Sequence, residues 1–290
     1  MTQFLEEHFQ NRLKELGYPD DLTVEFSLGH CQGDGMAFYG SIPESSLGPL
    51  MMRLLSPHAD GLNAVDRVKN LLAQKHLDIM VDVIKTFGRC GLEIARNNFG
   101  HHYSHFNTMS LYDDSEPFDH IFSEGEDVEK LTGIEGLTHD VLPIWEEIWE
   151  RFCQALEEDI PHTSRLLEAE GYKILEGMSS EEAVVWEFHT RNLVVRLLEQ
   201  PCRDLYAMDG WDDEPKKDAI QGMLDGTQRV VSLEAEVRDR ETDVVLGQDC
   251  VDGLLCDVDD KDYGGLRWEL LKNAMDAARS QIQRLNVRAA

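Results

Sequence analysis

The residues most able to do chemistry crowd into one stretch, Phe26–Gly40, with the sequence FSLGHCQGDGMAFYG. Cys31 and Asp34 stand there beside Gly33 and Gly35. A histidine group, His101, His102 and His105, follows farther along the chain. A cysteine nucleophile needs a base to take its proton and donors to hold the oxyanion it creates. His105 is the candidate base. The backbone N–H groups of Gly33 and Gly35 are the candidate donors. On that reading Cys31, Asp34 and His105 make a small Cys/His hydrolase. The same residues also suit a tight turn, in which an aspartate accepts backbone hydrogen bonds and glycines take positive φ. His105 would then hydrogen-bond across a sheet to the turn. The turn is the favoured reading, and it makes the chain non-catalytic.

Metal chemistry has less support. His101 and His105 share a face of a strand, and His102 points away. The paired short spacings of structural zinc are absent. Asp249–Asp262, DCVDGLLCDVDDKD, lacks the spacing of a calcium-binding EF-hand loop and reads as a solvated acidic loop. No GxxxxGK[ST] phosphate loop occurs. The sequence assigns no metal and no cofactor.

The net charge of −29 is the strongest compositional signal. Asp113–Asp159 holds sixteen acids against Lys130 and Arg151, and Asp204–Asp262 holds eighteen against six bases. Such a field repels nucleic acid and anionic membranes and attracts basic partners. The candidate binding surface comprises Asp113, Asp114, Glu116, Glu146, Glu147, Glu150, Glu157, Glu158 and Asp159. The six cysteines form no CxxC pair, which predicts reduced thiols and a cytoplasmic protein. The N-terminus lacks the apolar core of a signal peptide, and no apolar run has the length of a membrane span.

These groups need a scaffold. Residues 2–17 put Phe4, Leu5, Phe9, Leu13 and Leu16 on one helical face, and Gly17 is a stop. Leu22–Leu28 alternates as a half-buried strand, Gly33-Asp34-Gly35 supplies a turn, and Met36–Ile42 returns as a second strand. Gly61–Phe87 is amphipathic, as one helix or two. Gly88–Ala95 and Tyr103–Tyr112 read as further strands. Val141–Ile160 is a helix whose Trp145, Trp149 and Phe152 face the core against the hairpin sheet, and Pro161 begins another. Ser179 and Glu182 have capping-box spacing and predict a helix carrying Val184, Val185, Phe188, Val194, Val195 and Leu198. Tyr206–Gly226 reads as irregular. Val230–Val237, Asp243–Leu246 and a helix from Gly265 to Leu285 close the chain. The fold class is α+β: an N-terminal antiparallel sheet packed by helices, a central helical block, and a C-terminal β-β-α unit. The expected boundaries are a domain at 1–200, an acidic linker at 201–226, and a small unit at 227–290.

Ser27–Gly40 resembles the S-x-x-Y-C/S-Q-G-D-G-x-x-F-x-G signature of a family carried by phages and plasmids, with His30 in place of the tyrosine. Tyr103–Met109 is similar to that family's Y-S-H-x-x-T-M segment. Leu167–Glu170 and Ser179–Val184 are similar to its L-E-x-E-Y…S-D-E-A-V helix pair, with Gly171 after Glu170 where the family has tyrosine. Members carry antitoxin-like or antirestriction-like labels. The resemblance implies a mobile-element origin and assigns no catalytic residue. Joined to the charge, it leads to an expectation. The chain would be a non-catalytic anti-defence protein that binds a basic host protein or nucleoprotein complex, of restriction or CRISPR type, through an acidic surface that mimics nucleic acid. The alternatives are an antitoxin-like partner of a basic toxin, using an apolar groove with an acidic rim, and the Cys31/His105 hydrolase.

Overall fold

The structure, a computed structural model, describes residues 3–31, 33–55, 64–97, 108–119, 121–122, 128–135, 137–178, 181–202, 208 and 210–289. Contacts group the chain into two compact units, Glu6–Ala169 and Glu170–Ala290, the latter taking in Met1–Leu5. The division therefore falls at 169/170, not in the 201–226 stretch expected to act as a linker.

In the N-terminal unit, strands β1 (Thr23–Ser27), β2 (Gly35–Ser41), β3 (Leu92–Arg96) and β4 (Met109–Asp113) form an antiparallel sheet in the order β1-β2-β3-β4. β1 and β2 are the hairpin that the alternation predicts, with Phe26 opposite Met36. Val24 and Phe26 turn inward from β1, whereas Met36, Ala37 and Phe38 of the inner strand β2 are buried in succession. Helix α1 (Gln3–Glu15) sets Phe9 edge-on to Phe26, ring centroids 5.1 Å apart. It stops at Gly17, whose φ of 85° lets the N–H groups of Gly17 and Tyr18 reach back to the carbonyls of Lys14 and Leu13. Helices α2 (Glu44–Leu55) and α3 (Ala64–Phe87) follow β2, and the short α4 (Val128–Thr132) follows β4.

Helix α5 (Leu142–Met178) is one helix where the proline predicted two. Pro161 removes the backbone bond to the carbonyl of Glu157. Its neighbours nevertheless keep one helical register, with Trp145, Trp149, Phe152, Leu156, Ile160, Leu167 and Ile174 all buried. Burying a large apolar side chain gains roughly 1.5–3 kcal/mol, so this continuous stripe outweighs the roughly 3 kcal/mol cost of an interior proline. The aromatic end packs on residues after β4: Trp145 lies 5.7 Å from both Phe118 and Phe122.

In the C-terminal unit, β5 (Ala183–His189), β6 (Leu193–Pro201), β7 (Gln228–Asp239) and β8 (Val245–Asp257) form a second antiparallel sheet, in the order β5-β6-β7-β8. Helix α6 (Asp213–Leu224) lies in the stretch expected to be irregular, and α7 (Leu266–Ala289) ends the chain. Leu270, Leu271, Ala274 and Ala278 of α7 share a core with Leu233, Ala235 and Val237 of β7. The β7-β8-α7 order is the predicted C-terminal unit.

The helix expected after Ser179 is instead the β5–β6 hairpin. Its valines, Trp186 and Phe188 suit a pleated surface better than a helix. Thr190 closes the turn, its N–H donating to the Leu193 carbonyl and its hydroxyl accepting from the Leu193 N–H. β6 then pairs with β7 from Leu193–Asp239 to Pro201–Val231, a partner that no local pattern reveals. Residues 249–257 of the expected acidic loop are likewise strand β8. Among the described residues, no helix is long and apolar enough to cross a membrane.

Candidate binding surfaces

The β1–β2 turn is held by Asp34. Its carboxylate accepts from Ser27 Oγ at 2.8 Å, from the Cys31 N–H at 2.9 Å and from Cys31 Sγ at 3.1 Å. His30 and Gly33 take the positive φ values, 55° and 98°, that reverse the chain. The hydrogen bond to Asp34 raises the pKa of the exposed Cys31 thiol, with slight burial and the carboxylate charge acting the same way. A nucleophilic cysteine needs the opposite influence. Burial also pushes Cys90 up to about 11 and raises Cys153 further. His101, His102 and His105 lie outside the described residues.

The expected acidic surface divides into three parts. Asp113 ends β4, where its carboxylate accepts the Ser115 N–H at 2.9 Å and the Cys153 thiol at 3.6 Å. Asp114 and Glu116 flank Arg89 at 3.7 and 3.9 Å. On α5, Glu146, Glu147, Glu150, Glu157 and Glu158 are exposed. Glu147 pairs with Arg151 one turn on. Glu146, Glu150, Glu157 and Glu158 have no ion pair among the described residues. At 100° and 1.5 Å per residue, Glu146, Glu150 and Glu157 fall within about 40° of one another, spaced by about 6 and 10 Å along the axis.

Asp159 departs from this open face. It is 11% exposed and receives Arg53 through both carboxylate oxygens, at 2.8 and 2.6 Å. The Tyr18 hydroxyl donates to it at 2.6 Å and Thr163 at 3.2 Å. Arg53 also donates to the Leu16 carbonyl at 2.6 Å and lies over the Tyr18 ring. Burial alone would raise the Asp159 pKa, but the hydrogen bonds and charge of Arg53, with the Tyr18 hydroxyl, outweigh it and hold it low. Burial and the same carboxylate push Tyr18 up. Asp159 ties α5 to the N-terminal helices and is not a free binding carboxylate. Its sequence neighbours Glu157 and Glu158 are exposed.

The C-terminal unit holds a feature that the sequence pattern did not expose. Glu199 of β6 is buried, and its Oε2 accepts from Arg229 Nη2 at 2.9 Å and from the Tyr263 hydroxyl at 2.7 Å. The one available signal was a lone acid within the apolar run of β6. Beside this ion pair is a groove of about 600 Å³. Glu176, Glu181, Asp225 and the base Lys173 line it together with apolar Met223, Leu224 and Val258. Its volume lies within the range of ligand pockets. Among the described residues, no group of three or more His, Cys, Asp or Glu side chains is arranged to hold a metal ion.

No protein-family model matches the sequence, and no curated protein or solved structure is significantly similar to it.

Proposed function

We propose that this chain is a non-catalytic anti-defence protein of a mobile element, which occupies the nucleic-acid site of a basic host complex of restriction or CRISPR type. One observation carries the reading: Glu146, Glu150 and Glu157 project from one face of a single long helix, exposed and without ion pairs among the described residues. Phosphates along a DNA strand rise about 3.4 Å per step, so intervals of about 6 and 10 Å approximate two and three steps. A helix holds such charges in fixed spacing without the entropy cost of ordering a loop. The hydrogen bond from the Cys31 thiol to the Asp34 carboxylate at 3.1 Å supports the non-catalytic reading, because it disfavours the thiolate that a nucleophile needs. The sequence resemblance supports the mobile-element assignment.

The experiment is an affinity capture from host lysate, followed by binding to the purified partner over a salt series. Steered association between opposite charges weakens steeply with salt. The triple reversal Glu146→Lys, Glu150→Lys, Glu157→Lys is expected to weaken binding at least tenfold while the fold is kept. Binding that survives both high salt and the reversal would exclude mimicry. The groove beside Glu199 favours a second reading, an antitoxin-like protein that receives basic side chains of a toxin on an apolar floor with an acidic rim. In that case Met223→Asp would abolish binding and the α5 reversal would not.

A further inference from the structure

Glu199 lines the groove of the C-terminal unit although it is only 5% exposed. Arg229 and the Tyr263 hydroxyl both donate to its Oε2, so Oε1 holds no hydrogen bond or ion pair among the described residues. The carboxylate is thus fixed in place with one acceptor oxygen left over. Glu176 and Glu181 of the same groove are exposed and take part in no ion pair among the described residues. With Asp225 the lining holds four acids against two bases, Lys173 and Arg229, an excess of two negative charges. The charge of Arg229 is already met by Glu199. The apolar part of the lining includes Leu224, at the end of α6, and Val258, which follows β8 and is 43% exposed.

We infer that this groove binds an aliphatic diamine, a chain of methylenes with an ammonium group at each end. An ammonium donates three hydrogen bonds and accepts none. It therefore suits Oε1 of Glu199 at one end of the ligand and the rim carboxylates at the other. Such charge-assisted bonds are roughly twice as strong as neutral ones. Arg229 and Tyr263 hold Glu199 beforehand, so little ordering of that side chain opposes binding. Two ammonium groups match the excess of two negative charges. The methylenes between them cover Leu224 and Val258, surface that a hydrated ion would leave in water. Other ligand classes fit less well. A hard divalent cation such as calcium takes about six to eight oxygen ligands, and no group of three or more His, Cys, Asp or Glu side chains is arranged to hold one among the described residues. A quaternary ammonium is recognised by aromatic rings, and no aromatic side chain lines this groove among the described residues. An anion would meet both the excess carboxylates and the field of a chain of net charge −29. The inference gives the groove an occupant other than a toxin and does not depend on the α5 surface.

The test is isothermal titration calorimetry of the purified full chain with diaminooctane and diaminopropane at physiological salt, where diffuse attraction is screened. One saturable site is expected, and diaminooctane should bind about tenfold tighter because its added methylenes bury apolar surface. The variant Glu176→Gln, Glu181→Gln should weaken diaminooctane at least tenfold. The charge-matched variant Glu157→Gln, Glu158→Gln lies outside the groove and should leave the affinity unchanged. Val258→Asn changes an exposed side chain and should narrow the difference between the two diamines. Absence of a saturable site overturns the inference. Equal weakening by the two glutamine pairs overturns it too, because the attraction would then be that of the whole chain. Displacement of diaminooctane by an equal concentration of magnesium would reduce the site to charge alone and refute the diamine. So would a groove that takes a lysine peptide but no free diamine, which would assign it to a protein partner.

Discussion

Asp159→Ala separates the structural carboxylate of α5 from its exposed neighbours. In the folded chain both oxygens of Asp159 hold Arg53, and one also receives Tyr18 and Thr163. Removing one partner of a buried ion pair costs about 3–5 kcal/mol, because the remaining charge loses its counter-ion. Arg53 is 28% exposed and can still reach water, which lowers the figure. The Tyr18 hydroxyl, on a residue only 3% exposed, loses its acceptor, worth about 1 kcal/mol more. The expected loss is therefore about 3 kcal/mol near neutral pH. Urea denaturation followed by far-ultraviolet circular dichroism measures it. The double variant Arg53→Met, Asp159→Leu should recover most of the loss, since an apolar replacement removes both desolvation penalties. The pH dependence has a definite sign. The folded-state pKa of Asp159 is depressed, so its contribution is full above the unfolded value of about 3.9 and is lost as pH falls through the folded one. Wild type and Asp159→Ala should thus converge in strong acid. A neutral-pH difference below about 0.5 kcal/mol, or one that persists undiminished in acid, would refute the assignment.

Other perturbations probe the remaining features. Asp34→Ala removes the acceptor that raises the Cys31 thiol, so alkylation of Cys31 near neutral pH, followed by mass spectrometry, should accelerate; an unchanged rate would mean that the turn does not control this thiol. Gly247→Ala would drive a Cβ into the Ala274 carbonyl oxygen and the Ala278 N, so α7 must shift from β8. A loss of about 1–3 kcal/mol in denaturant titration is expected, and a neutral substitution would mean that α7 does not press on β8 at Gly247. Tyr263→Phe deletes the 2.7 Å hydrogen bond to buried Glu199 and should cost about 1.5–3 kcal/mol. An effect well below 1 kcal/mol would imply that Arg229 alone satisfies that carboxylate.

The sequence alone determined the features set by short-range periodicity and turn chemistry. The β1–β2 hairpin followed from the alternation of Leu22–Leu28 and the Gly-Asp-Gly turn, α1 from its apolar face and Gly17, and β7-β8-α7 from its strands and terminal helix. It also determined the acidity and the exposed glutamates of α5, because charge and helical phase are local properties. Tertiary structure decided the rest. Pro161 reads locally as a break, and only the apolar stripe buried on both sides of it keeps α5 whole. The valines of β5 and β6 fit either a helix or a strand until β7, some thirty residues farther on, supplies the ladder partner. Asp159 differs from Glu158 by one residue, yet one is locked to Arg53 and Tyr18 while the other is exposed. Glu199, Arg229 and Tyr263 converge from β6, β7 and the turn before α7, and no local pattern brings them together. Each of these depends on contacts between residues distant in the chain, whose energies enter only once the backbone has closed.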